Sequence, residues 1–557
     1  MKNKCTQCKA AFEIGDDYLA FLEEISPIFS GKKFSIPPPT LCSDCRQQRR
    51  MVQVNEVNLY KRKCDLTGKE ILSNFHPESP YKIYDQEAWY SDQWDPMKYG
   101  RDFDFNRPFF EQYHELCIAV PHFSLLTGYQ YDQNCDYTNY AGKNKNCYFI
   151  FDSDECWDCY YSYSINGCRS CADCYRSRRC ELCTQCIDCV DCYGSSYLQD
   201  CENCADSMFL KNCIGCKKCL MCSNLRNKEY FVENKQVSKE DFESFRAMLG
   251  SRQAVMQSRD RFAKLKLEYP QKYIHGVQNE DVIGDYLVQC KSAKNCFDCE
   301  QQWDCSYTYQ GFMPVQNGRD LHECGDGQRM YECSVCGYNA QNLLFSANCL
   351  DQLADFYYTT NCVHSSNLFG CCGLRHKEYC IFNKQYIQDE YEEMVAKIIT
   401  HMQKTGEWGQ FFPITLAPFC YNESMAQDQY PLTKEDVLAK GYQWREPDKK
   451  EFQPANKQLP DAISETDDSY CDGVYACSDC GRNYKLLKQE LELRKQINVP
   501  TELFCFWCSN ATRRAARNPW KLWDRKCGKC NKEIVTSYAP ERPEIVYCEE
   551  CYLNEVQ

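Results

Sequence analysis

The sequence predicts a mainly β protein: two Cys/Tyr-rich parallel β-solenoid-like lobes with capping helices, flanked by zinc-ribbon modules at both termini. Three observations carry that expectation. Pairs of CxxC knuckles sit at both ends of the 557 residues, and two such knuckles supply the four thiolates of a tetrahedral metal site. Between them, the 18 cysteines from Cys135 to Cys222 all lie a multiple of three residues apart. That period marks a repeat and matches neither the 3.6 of a helix nor the 2 of a free strand. Finally, Cys213–Gln236 recurs without a gap 149 residues later as Cys362–Gln385, so the repeat region is itself doubled.

The redox setting comes from the 46 cysteines and the start of the chain. No apolar run follows Met1, so no export leader is expected and a cytoplasmic location is. Thiols there stay reduced and act as metal ligands or packing residues more often than as disulfides. A net charge of −14 argues against wholesale coating of nucleic acid. No run approaches the ~18 apolar residues of a membrane span.

The elements follow in order. Residues 1–50 read as a zinc ribbon with Cys5, Cys8, Cys42 and Cys45 as ligands. Residues 471–510 and 511–557 read as two more, with Cys477, Cys480, Cys505 and Cys508, then Cys527, Cys530, Cys548 and Cys551, for about three structural Zn²⁺ in all. The C-terminal pair also explains residues 51–100. From Cys45 to Cys64 and from Cys508 to Cys527 is 19 residues in each case, and Gly68–Leu72 falls on Asn531–Val535. In that first copy the ligand columns read Cys64, Thr67, Asp85 and Ala88, so the second ribbon is degenerate and is expected to hold together by packing Trp89, Tyr90 and Trp94.

The segments CTQCKAAF…PPPTLCSDCRQQRR and CGKCNKEIVTSYAPERPEIVYCEECY resemble the probable zinc-ribbon modules of large Cys-rich proteins from candidate-phylum bacteria, and GRDFDFNRPFFEQ resembles a segment of those proteins. The repeated LR-x-KEY motif resembles the same proteins. That resemblance implies ribbons around a Cys-rich centre and no particular activity.

Residues 101–129 read as a linker helix, 130–237 as the first solenoid lobe and 283–386 as the second. Each lobe runs into an amphipathic helix expected to cover its last strand edge, in 238–282 and in 387–412. The Cys-Tyr dipeptide at 147, 159, 174 and 192 recurs after 12, 15 and 18 residues, which predicts coils of varying length. Such coils would not stack four-cysteine sites, so the central thiols read first as small apolar filler, with extra zinc, disulfides or clusters as the alternatives. In the second lobe the period slips, and Asn342–Phe345 and Phe356–Tyr358 read as apolar strands. Residues 413–470, charged and Pro-bearing, read as a flexible linker.

No phosphate loop, HExxH or G-x-S-x-G elbow occurs, and a four-thiolate zinc site has no open position, so no enzyme is expected. His114 and His122 beside Cys117 read as lining a helix, and His322-Glu323-Cys324 as surface chemistry. The leading expectation is a scaffold or adaptor for a protein partner, with no membrane and no small-molecule substrate. An RNA- or ribosome-associated factor is the alternative, through Arg46, Arg49, Arg50, Arg513, Arg514 and Arg517 next to the knuckles. Metal storage is a third class.

Overall fold

A computed structural model describes residues 1–311, 314–321, 327–328, 331–335, 344, 353–448 and 452–556. His322-Glu323-Cys324 and most of Asn342–Phe345 lie outside the described residues. The described residues form twelve α-helices beside strands of two to seven residues, so "mainly β" is too narrow a class.

The chain divides into two compact units, and each is built from distant segments. The first joins Met1–Leu125 to Ile274–Pro447, the second Leu126–Tyr273 to Asp448–Gln557. Each unit holds two knuckle modules and one Cys-rich repeat; the modules precede the repeat in the first unit and follow it in the second.

All four knuckle modules share one local design. The N–H of the first cysteine bonds the carbonyl five residues on: Cys5 to Ala10, Cys64 to Lys69, Cys477 to Arg482 and Cys527 to Lys532. The residue four after that cysteine is left-handed, with φ 65° at Lys9, 72° at Gly68, 71° at Gly481 and 61° at Asn531. Gly and Asn tolerate that region best, which is why two of the four are glycine. A short antiparallel hairpin flanks the turn, as in Tyr60–Lys63 with Glu70–Ser73 and Trp523–Lys526 with Glu533–Thr536. The second knuckle then opens a helix, Ser43–Met51, Gln86–Tyr90, Phe506–Ala515 or Glu549–Val556.

In the second unit the repeat pairs in parallel, and from Gln133 onward at a constant spacing of twelve. One line runs Gln133, Lys145, Trp157, Arg169, Glu181, Tyr193, Ala205, Lys217 and Glu229. The expectation of 12-, 15- and 18-residue coils is therefore wrong. Within each triplet the first residue pairs with its neighbours, the second is left-handed and the third is the cysteine position. Positive φ recurs at every third residue, for example Asp158 (54°), Tyr161 (51°), Ser164 (53°), Gly167 (62°) and Ser170 (48°). Such a corner costs an L-residue about 1–2 kcal/mol, least for Asn, Asp and Gly. The parallel ladders offset that cost. Lys145 N–H bonds Cys156 O at 2.9 Å, and Asp158 N–H bonds Lys145 O at 2.9 Å.

The third residues form a thin core of 21 buried side chains from Cys147 to Cys222. Each turn has room for about four small groups. Where Ile or Leu enters a turn, a Ser enters with it: Cys147, Ile150, Ser153, Cys156, then Cys159, Ser162, Ile165, Cys168, and later Ser195, Leu198, Cys201, Cys204. Volume per turn is thereby held nearly constant, as a close-packed core requires. The thiols also act as weak donors. Cys156 Sγ donates to Asp154 O (3.2 Å) and Ile165 O (3.4 Å), and Ser177 Oγ makes the same two bonds to Tyr175 O and Cys186 O.

In the first unit the described residues between Gly276 and Ile381 pair in the same parallel way, for example Phe356, Leu368 and Cys380 twelve apart. An 11-residue step pairs Gly276 with Leu287, and a 13-residue step pairs Gln302 with Val315. The 13-residue step falls between Cys305 and Cys333 and shifts the cysteine phase by one, while the 11-residue step precedes the first cysteine, Cys290.

Both repeats end in the same hairpin. Phe231 and Val232 pair with Gln236 and Lys235, and Cys380 and Ile381 with Gln385 and Lys384. It is this strand that covers the last edge, not the helix that follows. After Ser238 there are also two helices rather than one, Lys239–Met248 and Arg252–Leu265, because Gly250 and Ser251 break the run and Ser251 Oγ caps the second. Phe242, Val255 and Phe262 pack on Met208, Leu220 and Val232. The equivalent in the first unit is the single helix Gln388–Thr405, closed by Gly406 at φ 76°.

Residues 413–470 are not a bare linker. Ile414, Phe419, Tyr421 and Val437 are buried in the first unit. Ile463 packs with Tyr475, Leu486 and Leu491 in the second.

Candidate metal centres

Three groups of four cysteines bring their sulfurs within 4.8 Å of one another: Cys5, Cys8, Cys42, Cys45; Cys477, Cys480, Cys505, Cys508; and Cys527, Cys530, Cys548, Cys551. A metal with bonds of about 2.3 Å to four tetrahedral thiolates sets the S···S edge near 3.8 Å. Cys8–Cys42 and Cys480–Cys505 are 3.6 Å apart and Cys530–Cys548 3.7 Å, so the donor sets fit a metal ion.

In each four-cysteine module one thiol is held low while burial pushes another up, as at Cys505, raised to about 11, and Cys551, raised to about 12. Cys548 N–H points at Cys527 Sγ (3.3 Å) and Cys8 N–H at Cys5 Sγ (3.5 Å). Burial pushes Cys477 up, but N–H groups of Cys505, Cys480 and Asp479 outweigh it and bring the thiol down to about 7. Burial is likewise outweighed at Cys527, where N–H groups of Cys530, Cys548 and Lys529 bring it to about 6. Hydrogen bonding by Cys45 brings Cys42 to about 5 against its burial. Hydrogen bonds to the charged form are the cause in each case.

The degenerate module keeps the scaffold without the donors. Thr67 and Asp85 N–H still face Cys64 Sγ at 3.4 and 3.3 Å. Asp85 Oδ1 caps the helix through Ala88 N–H (2.9 Å), and its Oδ2 accepts from Thr67 Oγ1 (3.4 Å). Packing replaces the metal: Trp89 is fully buried among Trp94 (5.7 Å between rings), Tyr90 and Phe123, and its Nε1 donates to Pro121 O at 2.9 Å.

The central thiols do not converge in this way. With twelve residues per turn, Cys180, Cys183, Cys186 and Cys189 fall on one turn, yet among the described residues they form no group of three or more ligand atoms within 4.8 Å. Their sulfurs donate to carbonyls instead, as Cys183 does to Glu181 and Cys192. His114, Cys117 and His122 line one pocket, but among the described residues they form no group of converging ligand atoms. His114 meets Tyr81 Oη (3.2 Å), while His122 Nε2 bonds Cys117 O (2.8 Å).

Five of the six arginines expected to face nucleic acid point inward. Arg46 and Arg50 hold Asp320 at 2.9 and 3.2 Å, and Arg49 holds Glu332 at 2.6 Å, all within the first unit and all nearly or fully buried. In the second unit Arg513 holds Asp173 at 3.1 Å and Arg517 holds Asp188 at 2.7 Å. Of the six, only Arg514 is half-buried rather than buried. A guanidinium desolvated against a carboxylate is not available to a phosphate. Arg46 and Arg50 hold the Asp320 carboxyl below the usual carboxylate range despite its burial.

Sequence reasoning missed the receivers. Asp173 and Asp320 are left-handed corner residues of the two repeats, φ 54° and 60°, and each takes the arginine that aligns in the two copies, Arg513 or Arg50. A second buried cation, Arg494, joins Asp173 at 2.6 Å and Glu490 at 2.9 Å. The only available signal was that Arg50 and Arg513 share a column of the internal repeat.

No protein-family model matches the chain, and no curated protein matches it. What stands of the resemblance is a Cys-rich chain with four-cysteine groups toward both ends that could hold metal. Among the described residues no helix is long and apolar enough to cross a membrane.

Proposed function

We propose that the chain is a non-catalytic, zinc-organised scaffold for a protein partner. In this reading the four-cysteine modules are zinc ribbons, the twelve-residue repeats are short parallel β-solenoids, and the ribbons clamp the solenoids into rigid units. The observation that carries it is the closed donor set: each of the three groups offers four sulfurs at tetrahedral spacing and no open position for water or substrate. Zinc fits all-thiolate tetrahedra, and about three structural ions follow. Metal storage fits less well, because the central thiols are engaged with carbonyls rather than gathered into ligand groups. The RNA reading loses most of its residues to buried ion pairs.

The test uses the full chain under reducing conditions. Firmly held zinc is expected near three per chain, with a protein partner retained after nuclease and released when the zinc is stripped. Partner capture abolished by nuclease, or unaffected by loss of zinc, would sink the scaffold reading. Iron in place of zinc would sink the metal assignment.

A further inference from the structure

One more set of ligand atoms converges among the described residues: His76, Cys420 and Glu423, again within 4.8 Å of one another. All three belong to the first unit. His76 follows the second strand of the degenerate module, at the column that Ala539 fills in the C-terminal copy. Cys420 and Glu423 lie one turn apart on a 3-10 segment in which Glu423 N–H bonds Cys420 O at 2.9 Å. Residues three apart in that geometry project to the same side. Phe75 against Phe419, 4.9 Å between rings, joins the two segments.

Two further observations point to a ligand. His76 Nδ1 is buried and has no hydrogen-bond partner, whereas buried imidazole nitrogens are normally satisfied. Glu423 is held from behind. Its Oε1 accepts from Tyr60 Oη (2.5 Å) and faces Arg445 Nε (3.6 Å), the kind of outer contact that orients a ligating carboxylate. Cys420 and Glu423 are both buried.

We infer that His76, Cys420 and Glu423 form a fourth metal site, for a borderline divalent ion of the zinc class. One thiolate, one imidazole and one carboxylate suit such an ion, whereas calcium and magnesium take oxygen donors. Three protein donors leave one position to solvent or an outside ligand, so this ion exchanges more readily than those in the closed four-thiolate sets.

The experiment is a Co²⁺ titration of the full, reduced chain followed by its sulfur-to-cobalt absorption. Four equivalents are expected. The fourth binds weakest and adds about one quarter of the per-ion sulfur absorption of the others, because one thiolate replaces four. His76→Gln and Cys420→Ser are each expected to bind three equivalents with the first three absorption increments unchanged. The wild-type increment needs no substitution, so the proposal is testable even where a variant folds poorly. Saturation of the wild type at three equivalents, or a fourth equivalent without sulfur absorption, overturns it. Either result leaves the four-thiolate sets standing.

Discussion

Neutralising Asp173 tests how the knuckle modules are held. Its side chain is buried and takes Arg494 Nη2 on Oδ2 (2.6 Å), with Arg513 Nη1 (3.1 Å) and Ser509 Oγ (3.3 Å) on Oδ1. Two buried guanidiniums are thus balanced by two carboxylates, Asp173 and Glu490. Asp173→Asn keeps the shape and leaves one cation without a counter-charge. Breaking a buried pair from one side costs about 3–5 kcal/mol. At 1.4 kcal/mol per decade, that is about two to three and a half decades in the opening equilibrium. Native-state hydrogen exchange reads it locally, in the amides of Lys488–Gln496 and Phe506–Ala515. The control is Asp191→Asn, whose pair with Arg179 is exposed and should cost under about 1 kcal/mol. If Asp173→Asn lowers protection no more than the control does, the corner carboxylate does not clamp the module and the reasoning fails. Asp320→Asn is the matched experiment in the first unit, read in Ser43–Met51.

Other outcomes follow from the same contacts. Cys186→Leu alone should overpack its turn and cost about 1–3 kcal/mol. Adding Cys183→Ser should recover most of that, since Ser195 and Leu198 stand in the same two columns one turn on, and hydrogen exchange of the neighbouring strands reads the rescue. If instead Cys183→Ser sheds metal, the packing account of the central thiols is wrong. Cys548→Ser should lose one firmly held ion and melt Trp523–Val556, with exchange in the repeat rising beside its contacts at Asn224 and Arg226, measured by metal analysis and exchange together. His122 is buried and neutral, lowered from 6.5 to about 4 by desolvation. Between those values the unfolded chain binds the extra proton, so stability falls as pH drops from about 6.5 to 4, by roughly 3 kcal/mol in total. His122→Gln should flatten that slope in a pH series of unfolding measurements, and an unchanged slope would assign it to other groups.

The four-cysteine knuckle pairs were legible because their chemistry is local. Four sulfurs on two tight turns need only the CxxC spacing and a chain long enough to bring the turns together, and Cys527, Cys530, Cys548 and Cys551 show both. The loss at Thr67 and Ala88 was equally plain, since a missing ligand is visible in one column. The period of three was legible too, because every turn needs a small residue at the same place in each triplet.

The length of the turn was not. A tyrosine after a cysteine stands at the pairing position of any triplet, on any side of the coil. The 15- and 18-residue gaps between Cys-Tyr dipeptides therefore mark changes of side, while the ladders keep twelve.

By itself, then, the sequence determined the donor sets, the triplet and the doubled hairpin, all of which depend on neighbours a few residues apart. Only the tertiary structure decided which modules clamp which repeat, and that the arginines face inward. A basic helix reads the same whether its charges meet water or a carboxylate. Asp173 lies 340 residues from Arg513, and it is the fold that supplies the buried counter-charge.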